Sequence, residues 1–549
     1  MRNHKISYRI LASVFIALLL TIAGCSDPSG PPAESDARVS TNTLHMGNGT
    51  EPQDLDPHIV TGVTEHNIIS ALLEGLVGKN PENLSPEPAV AESWEILDEG
   101  KTYLFHLRSN ARWSNNEAVT ARDFIYAWQR ALMPALGNQY AYMLYPVLNA
   151  EQFNKGQLAD FSQVGIRAID DLTLEVKLAA PTPYFLGLLD HYSTFPVHQA
   201  TIEKFGQMDT RGSEWTRAGN FVGNGPFKLT QWDQNRIVVV EKNPAYWDAA
   251  TVKLDAIHFH PVGQINTEER MFRAGQLHIT YTMPEEKIPA YQKDDPGVLK
   301  SHPYLGTYFY RLNTTVPPLN DVRVRRALAM TIDRESIVNN VTRGGQIAAY
   351  TLTPPDTLGY TARAAIPYNV EQARQLLAEA GYPEGKGFPE LQLLFNTLES
   401  HQKIGEAIQQ MWKQALGINI TLHNQEWKVY LESERAMNYQ ISRASWIGDY
   451  IDPNTFLDMF ITDGGNNRSG WSSPDYDALI DRAAMTSDPH ARYELFQQAE
   501  SILMDEVPII PIYTYAKNYL ISPRVKGWYT NLMDYHPYKY VYLEPTAPN

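Results

Sequence analysis

The sequence predicts an α/β protein divided into two or three subdomains, and three observations carry that expectation. The chain has 549 residues, more than a single hydrophobic core ordinarily organises. In its C-terminal half, amphipathic helical patterns alternate with short apolar segments of strand character. Glycine stops separate the two, so that helix, turn and strand follow in quick succession, as in a βαβ layer.

Arg2, Lys5 and Arg9 precede an apolar run from Ile10 to Ile22, which ends in Ala23-Gly24-Cys25. This is the layout of an export signal over residues 1–24, and the run is shorter than the roughly 20 apolar residues of a membrane span. Ile22-Ala23-Gly24-Cys25 resembles a bacterial lipobox, which implies that Cys25 becomes the lipidated first residue of a membrane-anchored protein of the periplasm or cell surface. Cys25 is the only cysteine, so no disulfide is expected. Residues 26–40 are rich in Pro, Ser, Gly and Ala and read as a tether, with a reach of roughly 20 Å for about 15 flexible residues.

Elements then follow in order. Thr43 to Met46 reads as a strand, and Tyr103, Phe105 and Leu107 alternate with more polar neighbours as in a half-buried strand. Thr120 and Asp123 stand where caps belong, before a helix through Phe124 to Leu132. Ala373, Leu376, Leu377 and Ala380 recur at helical spacing, with Asn369 and Gln372 as a capping box and Gly381 as the stop. Ser400 is placed to cap a second helix, whose stripe is Ile404, Ala407, Ile408, Met411, Trp412 and Ala415 and which ends at Gly417. Ile418 to Leu422 is the strand after it.

Composition narrows the function. A formal charge of −16 and the lack of a basic run after the N-terminus argue against nucleic acid as a partner. A secreted hydrolase is the rival from another class, but there is no Gly-x-Ser-x-Gly elbow, no His-Glu-x-x-His helix and no thiol for catalysis. Gly385-Lys386-Gly387 lacks the spacing and hydroxyl of a phosphate-binding loop. Histidines do not cluster along the chain. No catalytic residue, metal or cofactor is therefore assigned. A minority of the 31 Tyr and 11 Trp could line a cleft, where flat amphipathic rings cover a ligand of variable sequence.

The segment Arg443-Ala-Ser-Trp446-Ile-Gly-Asp449-Tyr-Ile-Asp-Pro453 sets a cation and an anion six residues apart, beside a Trp that reads as exposed. Such a pair suits a zwitterionic peptide chain, which always offers an ammonium, a carboxylate and a ladder of amides. A structural ion pair or a turn Asp is the ordinary alternative. The segment resembles the ligand-contacting stretch of periplasmic oligopeptide-binding proteins, within the family 5 solute-binding proteins of ABC importers. Pro52-Gln-Asp-Leu55-Asp56-Pro57, Ala91-Glu-Ser-Trp94, Arg112-Trp113-Ser114, Gly223-Asn-Gly-Pro226-Phe227, Asn243-Pro-Ala-Tyr246-Trp247 and Asp321-Val-Arg-Val-Arg-Arg-Ala-Leu328 resemble blocks of the same family, in the same order.

The resemblance, over residues 41–545, implies a periplasmic-binding-protein-like two-lobe cleft with an additional small domain, of class II, cluster C type. Lobe I would comprise 41–78, 200–300 and 517–549, the inserted domain II 79–199, and lobe III 301–516. It implies an oligopeptide receptor, monomeric, that hands its ligand to the permease and ATPase subunits of an importer; murein-peptide, dipeptide and nickel-complex binders share the family. Asp449 would hold the ammonium, with Arg443 near the carboxylate. Ala444, Ser445 and Ile447 would offer a strand edge beside Trp446. His401 lies on the first turn of its helix, where an anion is favoured, although an exposed histidine without a role is the ordinary reading. The resemblance adds His401 to the carboxylate end, and Glu65, Tyr140, Tyr281 and Trp427 to the cleft, with simple packing as the alternative for these last four. Thr342 stands where some relatives carry a Lys that meets the carboxylate. Gly306 and Ile447 stand where some carry a disulfide.

Overall fold

The computed structural model describes residues 42–486 and 488–545, so the expectations for the signal, Cys25 and the tether lie outside the described residues. Three larger sheets organise the chain. The first contains β1 (Thr43–Gly47), β6 (Phe227–Asp233), β7 (Ile237–Lys242) and β8 (Ala256–His260), in the order β1-β8-β7-β6. β1 and β8 run parallel; the other pairs are antiparallel. The second sheet is antiparallel and holds β2 (Ala91–Leu97), β3 (Thr102–Leu107), β4 (Ile166–Asp170) and β5 (Thr173–Lys177) in the order β2-β3-β5-β4. In β3 the side chains of Tyr103, Phe105 and Leu107 are buried as the alternation predicts.

The third sheet has six strands: β9 (Leu299–Leu312), β10 (Ile347–Ala348), β11 (Leu391–Asn396), β12 (Ile420–Gln425), β13 (Ile441–Ile447) and β14 (Ile509–Leu520). Their order is β10-β14-β9-β13-β11-β12. β11 and β12 are parallel and joined through a helix at Glu399–Leu416, which is the expected βαβ layer. That helix buries Ile404, Ile408 and Trp412 and stops at Gly417, whose φ of 72° suits glycine. Its N-cap is Leu398, so Ser400 sits inside the first turn and is not the cap. The following strand starts at Ile420, two residues later than the alternation suggested. The helix at Val370–Glu379 begins as read, with the Asn369 side chain accepting from the Gln372 N–H at 3.0 Å.

β9 and β14 are the long strands, and they tie the first sheet to the third. At one end the segment around Ile279 bridges Met46 and Ile521, with Gly47 N–H donating to Ile279 O at 2.9 Å and Thr280 N–H to Leu520 O at 2.9 Å. At the other end β9 runs antiparallel to β13 in the third sheet. The β9–β14 ladder breaks register between Pro303 and Thr307. The motif blocks before residue 250 act as packing. Asn224 brackets the backbone of Glu74 at 3.0 and 2.8 Å, while the Tyr246 hydroxyl and Trp247 Nε1 both donate to the Glu74 carboxylate.

Candidate ligand-binding cleft

β13 carries the centre of the site, and its phase decides which groups face outward. It pairs with β9 from Ile441↔Leu312 to Ile447↔Gly306. Gln440 and Gly448 are both hydrogen-bonded across this ladder, to Asn313 and Leu305, so the even-numbered residues turn their backbone groups toward β9. The odd-numbered residues turn theirs toward β11. That partner pairs only with Ile441 and Ser442. Beyond Ser442 this edge has no neighbouring strand among the described residues, which leaves the amides of Ser445 and Ile447 facing the cleft. Ala444 does not join them, because its backbone groups point into the β9 ladder. Glycine at 306 lets the strands approach closely opposite Ile447: a Cβ there would lie 2.9 Å from the Trp446 carbonyl oxygen and 2.4 Å from Ile447 Cδ1. The two positions where some relatives have a disulfide are thus direct cross-strand partners, with isoleucine filling the space.

Two cavities flank this strand, of about 260 and about 170 Å³. Val63, Tyr304, Trp427, Arg443, Ser445 and Ile447 line both, so they are chambers of one cleft. The smaller chamber is lined by Tyr140, His191, Trp446 and Asp449. Trp446 is buried, not exposed as it reads in sequence; its Nε1 donates to Thr455 O at 2.5 Å, and its ring lies 6.1 Å from that of Tyr140. His191 Nε2 lies 3.4 Å from Asp449 Oδ1. On its other side the ring's Nδ1 meets the Ser193 hydroxyl at 2.8 Å and the Ser193 N–H at 3.3 Å, which hold the ring in place beside Asp449. Asp449 Oδ2 is buried and has no hydrogen-bond partner among the described residues.

The larger chamber holds the opposite charge. Arg443 is buried, donates to the Tyr515 hydroxyl at 2.8 Å and to Asn396 Oδ1 at 3.4 Å, and lies over the Tyr308 ring at 4.8 Å. Its Nε has no partner, and no carboxylate lies within ion-pair distance of it among the described residues. His401 is buried rather than exposed, with Nδ1 3.5 Å from the Tyr308 hydroxyl. Burial, and then the Arg443 guanidinium, hold its pKa well below the usual value, so it is a neutral imidazole. Thr342 bonds Gln346 Oε1 at 3.0 Å, and Gln346 Nε2 donates to Glu285 at 2.7 Å. Burial pushes the Glu285 carboxyl up to about 8.

Of the other expected residues, Tyr281 lines the larger chamber, and Trp427 stands between the two, stacked on Tyr430 at 5.6 Å. Glu65 lines neither. Its carboxylate accepts from the Gln53 N–H at 2.6 Å and from the Thr64 hydroxyl at 2.9 Å, and burial raises its pKa. Sequence reasoning missed His191, Tyr515 and Lys517. The last ion-pairs with Asp534 at 2.8 Å and lies 4.8 Å from the Tyr281 ring. The period-two run Tyr513-x-Tyr515-x-Lys517, which puts all three on one face of β14, was a usable signal. For His191 there was none.

Comparison with known proteins bears on what such a cleft is for. Residues 85–468 match the family described as bacterial extracellular solute-binding proteins, family 5 Middle. The periplasmic oligopeptide-binding protein OppA of Salmonella typhimurium is 38% identical over 535 residues, covering 95% of this chain and 96% of that protein. The structure of the Escherichia coli murein tripeptide binding protein MppA aligns with a TM-score of 0.88 at 36% identity, covering 92% of this chain and 99% of that one. Haemophilus influenzae OppA in complex with the peptide RPPGFSPFR aligns with a TM-score of 0.85 at 34% identity, covering 91% and 98%. The chain therefore belongs to the family 5 bacterial extracellular solute-binding proteins, two-lobed α/β binding proteins and not enzymes.

Proposed function

We propose that this chain captures oligopeptides in the cleft by their termini and backbone, and delivers them to the permease and ATPase subunits of an ABC importer. One observation carries the reading: a largely buried anion and a buried cation, each lacking a counter-charge of full strength among the described residues, stand on one continuous cleft beside an open strand edge. A buried charge without a partner is costly, and an extended peptide supplies both missing partners at once. Asp449 receives the ammonium beside His191, Ser445 and Ile447 pair with the ligand backbone, and Arg443 meets the carboxylate directly or through water. Tyr140, Tyr281, Trp427 and Trp446 wall the side-chain space, with His401 as a neutral polar group. Four strand steps from Arg443 to Ile447 span roughly 13 Å, and the chain continues two residues to Asp449, enough for several extended ligand residues.

The partition into lobe I (41–78, 200–300, 517–549), inserted domain II (79–199) and lobe III (301–516) belongs to this reading, with β9 and β14 as the crossovers about which the lobes close. So does anchoring through a lipidated Cys25. Cys25→Ser should release the protein from the membrane fraction, and equal retention of the variant would refute the anchor. Calorimetry with a tripeptide and its N-acetylated form tests the capture itself. The acetylated peptide should bind at least a hundredfold more weakly, and equal affinity would overturn the assignment of Asp449. A murein-peptide receptor is the second reading, supported by the likeness to MppA; mass spectrometry of molecules released from the purified protein separates the two.

A further inference from the structure

β1 and β8 lie side by side in parallel, and their register sets His45 directly against His258 and Gly47 against His260. Residues of one parity share a face of a sheet. On the buried face stand Leu44, Met46, Ile257 and Phe259; on the other stand His45, His258 and His260, all only partly buried. The three imidazoles converge. His45 and His258 have ring centroids 4.6 Å apart, His45 Nδ1 lies 3.2 Å from His260 Nε2, and one nitrogen from each ring falls within 4.8 Å of the others. His278 flanks the group, but its Nδ1 is occupied by the His45 N–H at 3.0 Å. None of the three lines the cleft chambers.

We propose that His45, His258 and His260 form a binding site for a divalent transition-metal ion of the zinc, cobalt or nickel class, on the outer face of the first sheet and separate from the peptide cleft. Three imidazoles with a fourth position left to water are an established donor set for such ions. Ligands at about 2.0–2.1 Å from a tetrahedral ion stand roughly 3.3 Å from one another, and the His45–His260 separation is already there. A side-chain rotation of His258 closes the remaining gap. The backbone needs no change, because paired strands hold all three Cα atoms. Partial exposure gives an ion access from solvent. Burial holds all three rings below the usual histidine range, and repulsion between neighbouring rings adds to this for His45 and His260; His260 is brought to about 4. Without an ion, the same geometry is an imidazole-to-imidazole hydrogen bond.

The test titrates the full chain, prepared without a polyhistidine tag, with ZnCl2 by calorimetry and CoCl2 by visible spectroscopy. One ion per chain should bind, with the ligand-field bands of a four- or five-coordinate cobalt site. His258→Ala and His260→Ala should each weaken binding by roughly 100-fold or more, since even outer-shell changes cost 10–100-fold. His401→Ala, in the cleft, should leave it unchanged. Zinc should raise the melting temperature of the wild type and not of the variants. Saturable binding absent at millimolar zinc, or undiminished in both variants, overturns the site. Should the alanine variants not fold, X-ray absorption of the zinc-loaded wild type decides: three imidazole scatterers are expected, and fewer than two refute the proposal.

Discussion

Arg130 and Arg443 are both buried guanidinium groups, and their surroundings differ in kind. Arg130 meets both oxygens of Asp56, at 2.8 and 2.5 Å, and its Nε donates to Met208 O at 2.8 Å. Arg492 meets Asp452 in the same way, at 2.6 and 2.8 Å. Arg443 meets only neutral oxygens, and its Nε has no partner. Asp449 is the mirror case: a histidine stands at one oxygen and the other is unpartnered. In these two scaffold pairs, charge is matched within the chain and holds segments together, whereas Arg334, equally buried, meets only the backbone carbonyls of Pro511, Ala329 and Ile332. What sets the cleft apart is that an unmatched cation and an incompletely matched anion line one open space, where a ligand can complete both.

The sharpest way to break this comparison is to delete one anion from each region. Asp449→Ala should weaken tripeptide binding by a few hundredfold or more, on the roughly 3–5 kcal/mol cost of breaking a buried pair, and should leave the melting temperature unchanged or raised. Asp56→Ala should lose stability of the same order, about 3–5 kcal/mol, read from urea unfolding, because it strands Arg130. If Asp449→Ala destabilises the free protein as Asp56→Ala does, the cleft charge is structural after all.

A smaller effect is expected at the other end of the cleft. Arg443→Ala should weaken binding by about 1.5–3 kcal/mol for peptides whose carboxylate reaches it and by less for other lengths, across a di- to hexapeptide series. A constant loss at every length would show that Arg443 acts on the cleft wall and not on the ligand terminus. His401→Ala should shift that pattern by no more than about 0.5–1.5 kcal/mol, as befits a neutral imidazole.

A pH-dependent effect sets an unmatched carboxyl of the scaffold against the matched Asp56. Glu268 is buried, accepts from the N–H groups of Tyr281 and Thr282, and has no ion pair; burial pushes it up to about 8. The folded chain then keeps a proton that the unfolded chain releases above the ordinary value of 4.5. The contribution of Glu268 to stability is whole below that value and is lost as pH rises toward about 8. Glu268→Gln should flatten this part of the profile, measured by urea unfolding at pH 5 and pH 8. An unchanged slope would assign the loss to other groups.

Sequence periodicity located the helices at Val370–Glu379 and Glu399–Leu416 and the parallel strands around the second, because 3.6- and 2-residue periods are properties of neighbouring residues. It misplaced the cap of the second helix, since a hydroxyl at Ser400 says nothing about where the incoming chain turns. It also left Trp446 and His401 exposed, because burial is decided by elements packed from elsewhere, here Thr455 and the tyrosines of β9 and β14.

The sequence by itself determined the α/β class, the two opposite charges six residues apart and the family blocks in their order. Tertiary structure alone decided which charges would be matched. Among the described residues Arg130 finds Asp56 and Arg443 finds no carboxylate, though both are buried arginines within regular elements. It also decided that the backbone groups of Ala444, which lines the smaller chamber, are engaged in the β9 ladder while those of Ser445 and Ile447 are open to the cleft, through the phase of one antiparallel ladder. The gathering of His45, His258 and His260 is of the same kind. The local pattern His258-x-His260 places two of them on one face of a strand, but only strand register brings His45, remote along the chain, to join them, and register is settled by which faces the whole sheet must bury.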